Sequence, residues 1–355
     1  MRCCAVNLDM RARMNSAPNL LLRTAVALFI ATAVPASASF PGKNGRIAFL
    51  AGPDVYTMNP DGSDVKQLTN LGPDNGASWE SWSPDGKYIV FNEYRAPDYL
   101  GQLWIMNAEG SNQHVLLSES DFDDERPSFT PDGSSVVFSR CRLDIEACAI
   151  YQIGLAGGVP TGITEIDLGI QDFSPQYSVS GNLAFTGVAR RGIICAIYLK
   201  SRNDEKVRQL TPAALTTRQP DWSPDGNRIA VSSHFGTPQN EEIWVLDTDR
   251  NDIHQLTNNG NDYFAGPHDF HPSWSPQGDA IVFERDAPDF SSSAIYIMEL
   301  DGTNCRKLLT LPNSLHAKYS RPNQIQSRPR NALASDNSTQ IEAGGALPQW
   351  GVTSN

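Results

Sequence analysis

Apolar residues recur along this chain in short blocks separated by Gly, Asp, Pro and Ser, and the blocks themselves repeat. One block is an apolar strand built around an aromatic residue: DVYTM, QLWIM, AIYQI, AIYLK, EIWVL and AIYIM. Its aromatics, Tyr56, Trp104, Tyr151, Tyr198, Trp244 and Tyr296, stand 48, 47, 47, 46 and 52 residues apart. A second block follows each (VKQLT, HVLLS, TGIT, VRQLT, IHQLT, CRKLL) and a third precedes each (RIAF, YIVF, VVF, LAF, RIAV, AIVF). The third block always comes after a turn glycine: Gly45, Gly86, Gly133, Gly181, Gly226 or Gly278. A fixed period of this length, with three strand-like blocks in fixed order, marks a repeat architecture.

A fourth element heads the units as an aromatic: Trp82, Phe129, Tyr177, Trp222 and Trp274. The first unit has none before it, and the missing aromatic is Trp350 in PQWGV at the far end of the chain. The pattern therefore predicts an all-β fold, a six-bladed β-propeller of four-stranded blades, closed by a C-terminal strand pairing with the N-terminal blade. The heading aromatics are expected to wedge between blades. In WSPDG the proline presets φ, the aspartate can bond the backbone and the glycine takes positive φ. The Asp-Gly pairs of NPDGSD, NAEGSN and ELDGTN read as turns between strands rather than calcium loops, because no glutamate follows in EF-hand register.

The ends of the chain read differently. Residues 1–38 carry arginines, then an apolar run, then Ala36-Ser37-Ala38, the order of a secretory signal peptide. Met14 also precedes a compact signal and is an alternative start. Residues 39–355 are expected to form the single propeller, with 311–347, rich in Pro, Ser, Asn and Gln, as a mobile excursion before the closing strand.

Charge narrows the partners. The chain carries 28 basic and 40 acidic residues, a net charge of −12. Without residues 1–38 the balance is 24 against 39, or −15, which argues against nucleic acid and anionic membrane. A monomer, with no membrane insertion after signal removal, is expected. Export permits disulfides. Cys141 and Cys148 flank RLDIEA, a hairpin tip, where a bridge can form; Cys195 and Cys305 read as free or partly buried thiols.

Candidate chemistry is sparse. No G-x-S-x-G elbow occurs. His268, Asp269 and His271, in NDYFAGPHDFHPSW, are the candidate metal ligands, since two His and a carboxylate suit a divalent ion. Asp121, Asp123, Asp124 and Glu125, in SESDFDDERPSF, are the candidate partner-binding rim of the channel. No catalytic or cofactor-binding residues are expected, and no cofactor, the alternative being a divalent metal ion at the His pair.

The unit quoted from WESWSPDGKYIVF with LWIMNAEG, and from PDWSPDGNRIAV with IWVLDTDR and HQLT, resembles the PD40, or WD40-like, repeat of the TolB family. The resemblance covers essentially the whole of residues 39–355 and implies a propeller of the TolB kind. A separate α/β domain precedes that propeller in TolB, whereas here the first strand follows the leader almost at once. The resemblance implies an exported, non-enzymatic, protein- or peptide-binding scaffold of the cell envelope, periplasmic or secreted. The alternative is a metal-dependent carbohydrate-active propeller, similar to oligogalacturonate lyases.

Overall fold

The computed structural model describes residues 40–352 apart from positions 73, 97–98, 143–144, 146, 167–169, 189–194, 205, 213–214, 236–239, 251, 261, 263–264 and 312–348. The expected leader, and the expected excursion apart from Leu311, lie outside the described residues. Every regular element described is a β-strand, and the fold is an all-β propeller.

The first sheet is ordered β24 (Gln349–Val352), β1 (Asn44–Ala51), β2 (Asp54–Met58), β3 (Lys66–Gln67). The second runs β4 (Asn75–Trp82), β5 (Tyr88–Arg95), β6 (Gly101–Asn107), β7 (His114–Leu117). The third contains β8 (Phe122–Phe129), β9 (Ser135–Arg142), β10 (Ala147–Gly154), β11 (Thr161–Gly162), β12 (Gln171–Tyr177), β13 (Leu183–Val188), β14 (Cys195–Lys200) and β15 (Val207–Gln209). The fourth is β16 (Leu215–Trp222), β17 (Arg228–Phe235), β18 (Glu242–Asp247), β19 (Asp252–Gln255), and the last β20 (His268–Trp274), β21 (Ala280–Asp286), β22 (Ser293–Glu299), β23 (Arg306–Thr310).

This corrects the expectation of six separate four-stranded blades closed by the C-terminal strand. Four separate four-stranded sheets are present, and the remaining strands form one sheet of eight. The fusion rests on one contact between units. Cys148 pairs in parallel with Gln171, and its N–H donates to the Ile170 carbonyl at 3.1 Å. The strand expected to close the ring, β24, is an edge partner of β1, paired at Asn44↔Val352, Ile47↔Trp350 and Ala48↔Gln349 with a shift between Asn44 and Ile47.

The turn chemistry follows from residue type. Gly86, Gly133, Gly226 and Gly278 take φ of 70°, 68°, 73° and 72°. Asp85 accepts the Lys87 N–H at 3.1 Å, and Ser83 Oγ accepts those of Lys87 and Tyr88 at 3.1 and 2.9 Å. The outer strands are latched by a recurring threonine. Thr69, Thr164, Thr211 and Thr257 each accept a backbone N–H from the third strand, at Val55, Ile150, Ile197 and Ile243, all at 2.9 Å. The second strands are buried in their central residues, and the heading tryptophans Trp222 and Trp274 are 1% and 0% exposed. Trp222 also donates its indole N–H to the Gln176 carbonyl of the preceding unit at 3.1 Å, so it spans two units. Cys141 and Cys148 are bridged. Cys305 is a free, exposed thiol, and Cys195 is buried.

Candidate functional site

Each heading strand is broken by a bulge, and the bulges coincide in the repeat. The register shifts between Ser78 and Ser81, Glu125 and Ser128, Phe173 and Gln176, Arg218 and Asp221, and Phe270 and Ser273. Inside each lies a residue with left-handed backbone: Trp79 (φ 59°), Arg126 (60°), Ser174 (52°), Gln219 (55°) and His271 (53°). Each stands three positions before its heading aromatic. None is a glycine, so each unit bears a conformational cost of about 1–2 kcal/mol at the same place. In three units a second-strand side chain of the preceding unit holds the bulge amide. Arg126 N–H donates to Asn92 Oδ1 at 2.7 Å, Gln219 N–H to Thr186 Oγ1 at 3.2 Å, and His271 N–H to Ser232 Oγ at 3.2 Å.

The left-handed residues meet one another across unit boundaries, because the heading strands pack in succession, β4 on β8, β8 on β12, β12 on β16 and β16 on β20. The Arg126 guanidinium lies 4.1 Å from the Trp79 ring and 4.6 Å from the Phe173 ring, and Nη1 reaches Ser174 Oγ at 3.4 Å. Gln219 and His271 join at 2.6 Å through their Nε2 atoms. Gln219 Oε1 accepts from Ser232 Oγ at 2.7 Å and from the His271 amide, so its Nε2 is the donor. The imidazole Nε2 is then unprotonated, and Nδ1–H donates to Glu284 Oε2 at 2.9 Å. Burial first, then the charges of Arg218 and Arg126, hold His271 well below the usual imidazole range, which keeps it neutral. Arg218 lies 5.3 Å from the Phe270 ring and donates to Glu241 Oε1 at 2.8 Å, which also contacts His234 Nδ1 at 2.8 Å. The result is a belt of aromatic, cationic and amide groups along consecutive heading strands.

The candidate metal ligands are placed apart in function. His268 is buried, stacks on Phe290 at 4.8 Å and on Phe270 at 6.1 Å, and accepts the Glu241 N–H at 3.3 Å. Asp269 is gripped by Arg285 at 2.6 and 2.7 Å and by Asn259 Nδ2 at 2.7 Å. His271 belongs to the belt. Among the described residues no three His, Cys, Asp or Glu are grouped to hold a metal ion.

The acidic rim residues are also largely engaged. Asp121 is exposed. Asp123 is buried and accepts the Gly101 N–H at 2.8 Å; burial, then Glu125, push its carboxyl up to about 8. Asp124 is clasped by Arg140 at 2.7 and 2.8 Å, yet burial still raises it to about 6. Glu125 contacts Arg126 at 3.3 Å. Asp124–Arg140 and Asp269–Arg285 occupy the same repeat position, five residues before the heading aromatic and two after the second-strand Phe138 or Phe283. In the fourth unit Asp172 has Gly187 in place of the arginine. A Cβ on Gly187 would fall 2.7 Å from the Tyr198 ring, so that ring fills the vacated position.

Arg126, Arg218, Gln219, Ser174 and Trp79 were missed as site residues. For all but Arg218, which stands four before Trp222, a signal was present: the repeat position three before the heading aromatic holds W, R, S, Q and H.

Strand-only units, heading wedges and a shared bulge position define a β-propeller of the tandem-repeat class. The TolB beta propeller domain family (PD40) matches residues 127–318, and the chain belongs to that family. It is 27% identical over 241 residues to the Agrobacterium fabrum protein Atu1656, covering 65% of this chain and 75% of that one. It is 24% identical over 244 residues to the Tol-Pal system protein TolB of Francisella tularensis subsp. holarctica, covering 68% of this chain and 52% of that protein. The chain thus spans about half the length of the TolB relatives it matches. In fold it is similar to TolB from Acinetobacter baumannii, with a TM-score of 0.63 at 21% identity over 87% of this chain and 67% of that one.

Proposed function

We propose that this chain is an exported, non-enzymatic propeller that binds a protein or peptide of the cell envelope. The ligand docks at Arg126, the partly exposed member of a belt whose other members, Trp79, Ser174, Gln219 and His271, are buried behind it. One observation carries the reading: five equivalent backbone positions hold the left-handed conformation with bulky or polar side chains where glycine would be cheaper. Strain repeated at one site and turned toward recognition side chains is the expected signature of a binding surface on a rigid scaffold. Family membership and the naming of relatives in the Tol-Pal system support a partner of the envelope, in the periplasm or outside the cell. Among the described residues no helix is long and apolar enough to cross a membrane. The protein is proposed to act as a monomer.

The test is to fill the belt. Ser174→Trp puts at one unit the residue that Trp79 already places at another; because Ser174 is buried, thermal melts first establish that the variant folds as wild type does. Pull-down from the native envelope with wild type and Ser174→Trp, followed by measurement of the retained partner's affinity, is expected to show at least about a tenfold loss, or 1.4 kcal/mol. Unchanged affinity would place the binding surface elsewhere.

A further inference from the structure

Resting on that reading of the belt, we infer that Arg126 is a receptor for a carboxylate, and that the bound peptide is anchored there through an acidic side chain or its own C-terminus. Arg140 and Arg285 each grip an aspartate by two short bonds, 2.7 and 2.8 Å in the first case, 2.6 and 2.7 Å in the second, and Arg140 also reaches Glu119 at 3.3 Å. Arg95 is paired likewise with Glu93 at 2.6 and 3.2 Å. Arg126 is treated differently. Its Nε contact to Glu125 is 3.3 Å and its Nη1 contact to Ser174 Oγ is 3.4 Å, both long for charge-assisted bonds. No group among the described residues accepts from Nη2.

Yet the group is not loose. The Trp79 and Phe173 rings lie against it, and Asn92 ties down its backbone. Its side chain is only 22% exposed. A cation held rigidly, mostly out of water and with donors unspent is a preorganised receptor, because the ordering cost is met before the ligand arrives. The two rings pack within 4.6 Å of the guanidinium carbon, and the Nη2 edge is left for a ligand. A planar acceptor with two oxygens matches that edge, which is a carboxylate.

The surrounding charges permit it. Glu241 is engaged with Arg218 and His234, and Glu284 with His271. Asp124 is neutralised by Arg140, and Asp123 is held protonated near neutral pH by burial and by Glu125. Glu125 is the one carboxylate in contact with the Arg126 guanidinium, and its single long bond leaves the Nη2 edge open.

The experiment selects binders from a displayed library of random linear peptides on the purified protein. The best binder is then synthesised with each carboxylate replaced in turn, aspartate by asparagine, glutamate by glutamine, and the C-terminal acid by its amide. Calorimetry gives Kd for every peptide on wild type, Arg126→Gln and Arg126→Lys, with thermal melts to confirm folding. One replacement is expected to weaken wild-type binding by about ten- to a hundredfold, as for a lost charged hydrogen bond. The same replacement should change binding to Arg126→Gln by no more than about twofold, with Arg126→Lys between the two. The replacement that acts identifies side chain or terminus as the source. Equal losses on wild type and Arg126→Gln would overturn the assignment. Binders that lack any critical carboxylate but are blocked by Ser174→Trp would overturn it too, while leaving the belt as the binding surface. Binders indifferent to Ser174→Trp would remove both.

Discussion

Glu80 stands where every other unit has proline: Pro127, Pro175, Pro220, Pro272 and Pro348. It is fully buried, and neither carboxylate oxygen has a partner. Burial holds its carboxyl well above the usual range, so it is neutral in the folded protein. The sign of its linkage to stability follows. The unfolded chain ionises this group first, so its contribution is intact below the ordinary glutamate range and is lost as pH rises toward the folded value. Glu80→Gln should therefore melt higher than wild type at pH 8 and together with it at pH 4, read by thermal unfolding at both. Asp172, raised by burial to about 6, predicts the same sense for Asp172→Asn, with the gain developing between about pH 4 and 6. A wild-type-like melt of Glu80→Gln at pH 8 would mean that the carboxylate is hydrated there.

The bulge is the element that converts repetition into a surface. It carries one residue per unit in left-handed conformation, held in three units by Asn92, Thr186 or Ser232 of the preceding sheet. Ser174 has the smallest side chain of the five, and Ser174→Gly should stabilise by about 0.5–1 kcal/mol, measured by urea unfolding. The opposite change at a turn, Gly226→Ala at φ 73°, should destabilise by about 1–2 kcal/mol. Removing an arginine from a bidentate pair is more severe. Arg285→Met leaves Asp269 buried and uncompensated, at about 3–5 kcal/mol. These elements were unequally legible. Ser83, Asp85 and Gly86 announce their turn through side-chain chemistry that acts within a few residues. The role of Arg126 needed neighbours from two other units, Trp79 and Phe173, and no local pattern carries that information. His268, Asp269 and His271 look like one cluster along the chain, but alternation along a strand and a bulge send them to three different partners.

At the scale of the molecule, four-stranded repetition was legible because every unit repeats its apolar blocks. The number of separate sheets was not, because it turns on one parallel contact between units, Cys148 to Gln171. The pairing of Ile47 with Trp350 spans 303 positions and buries Trp350 to 5% exposure in a cluster with Ile47, Phe49, Val282 and Ile295. Trp350→Ala should cost about 3–5 kcal/mol, as should Trp222→Ala. A loss below about 1 kcal/mol for Trp350→Ala would make β24 a peripheral addition.

Whether the ligand docks at the Arg126 edge of the belt is read out by a photo-reactive amino acid at Glu125 and, in a second protein, at Val159. Glu125 is partly exposed and touches the Arg126 guanidinium. Val159 is 92% exposed just before an outer strand. On irradiation with a peptide selected on the purified protein, a covalent adduct is expected through 125 and none through 159. An adduct through 159 alone, or through neither, would contradict binding at the belt.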